Sequence, residues 1–237
     1  MKRIFLLAVI FAALSFGCMV GKGVVHTVKD GETLWRIANA YGTDPQELAE
    51  VNNLGDPAEL KPGTKIFIPG AAAWRSVNPR PKPTGGGAYK QDRKKRAQPW
   101  AATSEEREDR VLIQKDRFIW PVKGAITTGF GVNKDGVRHD GIDIKATEGT
   151  PIKAADDGHA VFASDMKSYG NTVILKHGDN FYTVYAHNKS NMVKNGDKVK
   201  KGAIIATVGA TGAAHFSQLH FEVRQGKKVR NPLFFLP

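Results

Sequence analysis

Cysteine is nearly absent: the 237-residue chain holds one, Cys18. A single thiol excludes an internal disulfide. It also excludes zinc sites built on four Cys or on two Cys and two His. Long apolar runs are scarce as well. The longest, Ile4 to Leu14, is too short to span a bilayer. Acidic residues are outnumbered, 23 Asp and Glu against 35 Lys and Arg, which leaves a net charge of +12 and calls for an anionic partner. Sustained helical periodicity is missing from residue 118 onward. The rest is ordinary for a globular chain, with 41% hydrophobic residues, while 25 Gly and 12 Pro favour a turn-rich, strand-heavy protein over a helix bundle. The length fits one large domain or two small ones.

Lys2 and Arg3 precede the apolar run, and small residues follow it. Charge, run length and flank together read as an export signal. Ser15-Phe16-Gly17-Cys18 resembles a bacterial lipoprotein cleavage box, although Ser15 stands where that family usually has Leu. Lipid attachment gives the lone Cys18 a reason to exist in an oxidising compartment. Met19, rather than Asp, points by family analogy to the periplasmic face of the outer membrane. An exported chain does not meet nucleic acid, so the positive charge is directed at anionic wall polymer or lipid headgroups.

The charge is unevenly spread. Residues 25–69 carry 4 basic and 7 acidic side chains, residues 70–117 carry 12 and 6, and residues 118–237 carry 16 and 10. The middle block has Ala71-Ala72-Ala73, a Pro/Gly-rich run from Pro79 to Gly87 and the cluster Arg93-Lys94-Lys95-Arg96. It shows no apolar period and is expected to be a flexible, self-repelling linker. Within it, Ser104 to Arg117 could form a short capped helix.

Residues 25–69 read as strand, helix, helix, strand. Val24–Val28 is the first strand. Leu34, Ile37, Ala38 and Tyr41 share one helical face, which Gly42 ends. Asp44-Pro45 with Glu47 starts a second helix as N-cap, N1 and N3. Asn52-Asn53 close that helix, and Lys65–Pro69 is the last strand. The text V-x-D-G-E-T-L-W-R-I-A, V-N-N-L and L-K-P-G-T-K-I-F-I-P resembles a LysM module. The resemblance implies binding to N-acetylglucosamine-containing glycan, mainly peptidoglycan. It sets Gly31, Glu32, Thr33, Asn53 and Leu54 near the sugar.

Residues 118–237 read as an antiparallel all-β domain of short strands between Gly turns. His139 and Asp143 are four apart, a separation of about 13 Å in a straight strand at about 3.3 Å per residue. A bend at Gly141 would bring them together. Alternation along Gln218–Val223 sends Leu219, Phe221 and Val223 to the core and leaves Gln218, His220 and Glu222 on the other face. Tyr185 and His187 are likewise expected to share a face. Two imidazoles and one carboxylate from these pieces would make an open zinc site with room for water.

The segments H-D-G-I-D-I, Y-G-N-T-V-I-L-K-H, Y-A-H, V-x-x-G-x-x-I-A-x-V-G-x-T-G and L-H-F-E-V-R resemble the LytM/lysostaphin-type metallopeptidase domain. That resemblance implies a groove with zinc on His139, Asp143 and His220, and His187 orienting or activating water. Its substrate class is the peptide cross-link of peptidoglycan. Active members read His-x-His where this chain has Gln218-Leu219-His220. An amide cannot serve as general base near neutral pH, and losing such a group costs about 10²–10⁴ in rate. His215 could stand in only if its loop folds back. The signal at 1–18, LysM module, linker and LytM-type domain together resemble the NlpD-like murein hydrolase activators. Those proteins dock on a periplasmic N-acetylmuramoyl-L-alanine amidase at cell division. Three readings follow: a wall-bound activator, a zinc endopeptidase, and a structural link between envelope and wall.

Overall fold

A computed structural model describes residues 23–55, 60–78, 112–132 and 137–237. The signal segment with Cys18, residues 79–111 of the expected linker and most of the helix expected from Ser104 lie outside the described residues. No helix among those described is long and apolar enough to cross a membrane.

The N-terminal module runs β1 (Gly23–Thr27), α1 (Leu34–Tyr41), α2 (Pro45–Val51) and β2 (Lys65–Pro69), with β1 and β2 antiparallel. Each turn has a local cause. Thr33 Oγ1 accepts from Arg36 N and caps α1; Gly42, at φ 69°, closes it in the left-handed region. Asp44 caps α2 through Gln46 N at 2.8 Å, and Pro45 occupies the first helical position. Leu34, Ile37 and Ala38 turn inward as the spacing predicts and pack with Leu48, Ala49, Ile66 and Ile68. Beneath them His26, fully buried, bonds Glu32 Oε2 at 2.8 Å and Tyr41 Oη at 3.1 Å.

The second domain is all β. Its strands are β3 (Ala125–Thr128), β4 (Gly131–Val132), β5 (Arg138–His139), β6 (Ile142–Lys145), β7 (Pro151–Lys153), β8 (Gly158–Met166), β9 (Gly170–Lys176), β10 (Phe181–Asn191), β11 (Lys198–Val199), β12 (Ile204–Val208), β13 (Gln218–Gln225) and β14 (Lys228–Arg230). Ten of them form one sheet with the path β11-β8-β9-β10-β13-β6-β3. β13 lies between β10 and β6, and its register sets His220 opposite Asp143 and Ala186. Leu219, Phe221 and Val223 are fully buried on its core face. Each such side chain contributes about 1.5–3 kcal/mol.

Both ends of segment 70–117 are seated. Residues 74–78 fold back over the first module: Val77 is buried, Trp74 stacks 6.2 Å from His26, and Arg75 N donates to Tyr41 Oη at 3.1 Å. At the far end Gln114 N donates to Phe234 O and Phe118 N to Phe235 O, both at 3.0 Å. The expectation of an unpacked linker therefore does not hold at these ends, where main-chain hydrogen bonds and a buried Val outweigh the polar composition.

The two domains also touch. Helix α2 lies against the β domain, and its Glu50 Oε1 accepts from Arg230 Nε at 2.7 Å, with both groups buried. Asn231 N donates to Glu50 Oε2 at 3.2 Å, and Gln46 exchanges hydrogen bonds with the main chain of Leu112.

Candidate metal centre and groove

The β5–β6 connection brings His139 and Asp143 together. His139 Nδ1 donates to Gly141 O at 2.9 Å, which turns Nε2 to Asp143 Oδ2 at 3.2 Å. The bend falls at Gly141 as the spacing predicts, but the need for glycine is a close approach. A Cβ there would meet Phe221 O at 2.4 Å. From β13, His220 Nδ1 reaches Asp143 Oδ1 at 2.8 Å and its Nε2 faces Glu222 Oε1 at 3.1 Å. Glu222 is fully buried and held twice more, by the Tyr169 hydroxyl at 2.6 Å and by Arg224 Nε at 2.6 Å.

His187 enters from β10 by a route that alternation did not foresee. The pairing of β10 with β9 slips between Tyr185 and Asn188, and His187 has φ 64°. The bulge separates two residues expected on one face. Tyr185 is fully buried in the core against Phe221, and half-buried His187 lines the groove, its ring 5.9 Å from that of His220. His187 Nδ1 donates to Thr211 O at 2.8 Å, which leaves Nε2 as the ring acceptor.

Gln218, 7% exposed, lines the same groove, and its Oε1 has no hydrogen-bond partner among the described residues. The groove has a volume of about 420 Å³, and exposed His215 and Phe216 form part of its wall. His215, in the loop before β13, thus lies on the wall of the same groove.

Charge is distributed sharply. Burial raises Asp143, but the hydrogen bonds from His139 and His220 outweigh it and hold the carboxyl well below the usual range. Burial lowers His220, and its bonds to Asp143 and Glu222 overcome that, lifting it to about 9. His187 is pushed down by burial, only partly offset by its bond to Thr211, so it is a neutral imidazole near pH 7.

The donor set fits a zinc ion. His139, Asp143 and His220 offer two ring nitrogens and a carboxylate oxygen, all within 4.8 Å of one another. The other nitrogen of each imidazole is engaged by a carbonyl or a carboxylate, the outer support that orients metal-binding histidines. Three protein ligands beside a groove are the pattern of an open zinc site.

The model of Peptidase family M23 matches residues 137–232, and that of the LysM domain matches residues 26–69. Murein hydrolase activator NlpD of Escherichia coli is 31% identical over an alignment covering 91% of this chain and 68% of that one. The chain belongs to the NlpD-like family. A second Escherichia coli relative, the uncharacterized lipoprotein YgeR, is 34% identical over 91% of this chain and 82% of its own length. Cell division protein DipM of Caulobacter vibrioides is 41% identical over 51% of this chain and 20% of its own. Among solved structures, the catalytic domain of lysostaphin from Staphylococcus simulans is 30% identical, with TM-score 0.44, over 46% of this chain and 90% of that one. In this NlpD-like chain the three candidate ligands, His187 and Gln218 all fall within the peptidase match.

The residues expected near a sugar have other contacts too. The Glu32 carboxylate, with its side chain 1% exposed, faces inward to His26 and to Lys29 N at 2.8 Å. This places it in the module's interior, because a buried imidazole needs a partner. Gly31 takes φ 78° in the turn, Thr33 caps α1, and Leu54 packs partly on the core. Asn53, at φ 53°, accepts from Asn231 Nδ2 at 3.3 Å across the domain contact. Sequence reasoning missed Tyr169 and Arg224. Only Glu222 left a signal, two residues beyond His220 on the same face of a strand.

Proposed function

We propose that this chain is an envelope lipoprotein that holds peptidoglycan through its LysM module. Its LytM-type domain activates a periplasmic N-acetylmuramoyl-L-alanine amidase as the wall is split at cell division. Cys18 carries the lipid that anchors it to the periplasmic face of the outer membrane. Gly31, Thr33, Asn53 and Leu54 lie along the glycan, with Glu32 supporting the turn from inside.

One observation carries the reading: an amide, Gln218, lines the groove beside the candidate ligands with its Oε1 unpartnered among the described residues, at the position where the resemblance to the LytM/lysostaphin-type domain calls for an imidazole. His139, Asp143 and His220 would hold zinc, which when bound would supply Lewis acidity and water activation. His187 Nε2 is placed to accept a proton, but Gln218 cannot titrate as its partner, and catalysis falls by about 10²–10⁴. The groove then acts as a docking surface.

A second reading, a zinc endopeptidase that cuts peptide cross-links itself, is favoured by the complete ligand trio and by His215 on the groove wall. Release of dye from labelled peptidoglycan separates the two. Full-length chain alone is expected to release little, and chain added to its amidase to raise release severalfold. Strong release by the chain alone, abolished in His220→Ala, would establish the endopeptidase instead.

A further inference from the structure

A second cleft, distant in chain order from the groove, lies on the solvent face of α1. It has a volume of about 310 Å³ and is lined by Trp35, Arg36, Asn39, Arg75, Ser76 and Asn78. One wall is the helix face opposite Leu34, Ile37, Ala38 and Tyr41, since residues three and four apart stack on one side. The other wall is the strap of residues 75–78, which lies beyond the LysM match at 26–69. The cleft is thus built partly from residues outside the module match.

The strap is fixed. Arg36 Nη1 donates to Asn78 O at 3.3 Å, Arg75 Nη1 to Ala40 O at 3.1 Å, and Val77 is buried. The Arg75 guanidinium therefore meets a main-chain carbonyl and keeps its charge uncompensated by any carboxylate among the described residues. No lining residue is acidic, although the segment 25–69 carries more acid than base. Trp35 is half-buried outside the hydrophobic core and offers an indole that the core does not use. An indole for a sugar ring, amides for hydroxyls and a planar cation for a carboxylate describe one ligand.

We propose that this cleft binds a muramyl sugar carrying a free lactyl carboxylate. The inference rests on the amidase reading above, because the amidase makes that group. Water adds to the lactyl carbonyl, the C–N bond to L-alanine breaks, the amine leaves protonated and a carboxylate stays on the sugar. The activator is then retained where its amidase has already acted.

The test is titration of full-length chain in detergent micelles with three ligands of equal length: neutral chito-oligosaccharide, strands with intact stem peptides, and amidase-stripped strands. Stripped strands are expected to bind about tenfold tighter than the neutral oligosaccharide, the value of one charge-assisted contact. Arg75→Gln removes that preference, and Trp35→Leu weakens stripped and neutral strands alike. Equal affinity for all three overturns the proposal. So does a preference that survives Arg75→Gln, or intact strands binding as tightly as stripped ones through stem-peptide carboxylates. Arg75 is exposed, so its variant reports even if Trp35→Leu fails to fold. Amidase activation, measured in the same preparation, separates the failures: its loss in the unmodified chain sinks the activator reading and leaves the ligand preference to be judged alone.

Discussion

At the scale of single residues, Glu222 decides how the candidate metal ligands are presented. A fully buried carboxylate is tolerated only when it is paired, and Glu222 meets His220, Tyr169 and Arg224 at once. It accepts from His220 Nε2 while Nδ1 of the same ring faces Asp143, which fixes the ring's orientation. Glu222→Gln keeps the shape but replaces an acceptor-only group with one that also donates. Zinc affinity is expected to fall about 10–100-fold, the usual cost of losing such support, as measured by chelator competition. Gln218→His, which touches no ligand among the described contacts, is expected to leave affinity within a few-fold and to raise dye release. Equal affinity losses in both variants would mean that Glu222 has no orienting role. Part of this was legible: His139, Asp143, His220 and the amide at 218 stand out in the text. Tyr169 did not, because it reaches Glu222 from the turn between two other strands and nothing in its neighbours announces that.

Among elements, the β5–β6 connection and the bulge in β10 are what assemble the site. Alternation along β13 was readable because three apolar residues take strict turns with polar ones, and the structure buries all three. The bulge was not readable, since a left-handed His187 has no signature in composition and one slipped residue reverses which side chain faces the groove. Gly141 lies between these cases: the bend was foreseen, the steric reason was not. Gly141→Ala must push Phe221 O away from a contact of 2.4 Å, which shifts β13 against β6. A cost of about 1–3 kcal/mol is expected, together with loss of bound zinc. Gly129 has nothing within 4 Å of its Cβ direction, so Gly129→Ala is the matched control and is expected to change little. Melting curves and metal analysis of the two variants check this; similar curves would remove the contact from the account.

Over the whole molecule, the two domains meet through charges of opposite sign. Asp44, which caps α2, and Glu47 and Glu50 on that helix face Lys228, Arg138 and Arg230. This agrees with the acid excess of residues 25–69 and the base excess of residues 118–237. That pattern is visible in the sequence as arithmetic, but composition alone does not say that the acidic module and the basic domain meet each other. The pairs at Asp44 and Glu47 are half-exposed and contribute little. The Glu50–Arg230 pair is different. Burial pushes Glu50 up from its ordinary range more than the Arg230 charge and its hydrogen bonds pull it down, and desolvation generally offsets much of what a buried ion pair gains. Removing one partner still costs much, because the other charge stays buried. Glu50→Leu and Arg230→Leu alone are each expected to destabilise the docked form by about 3–5 kcal/mol, and the double substitution by far less. Scattering of the full chain reads this directly, as an expanded radius in each single variant and a near-native one in the double. If the double variant expands as far as the singles, complementary packing of α2 on the β domain is too weak to hold the arrangement without its central pair.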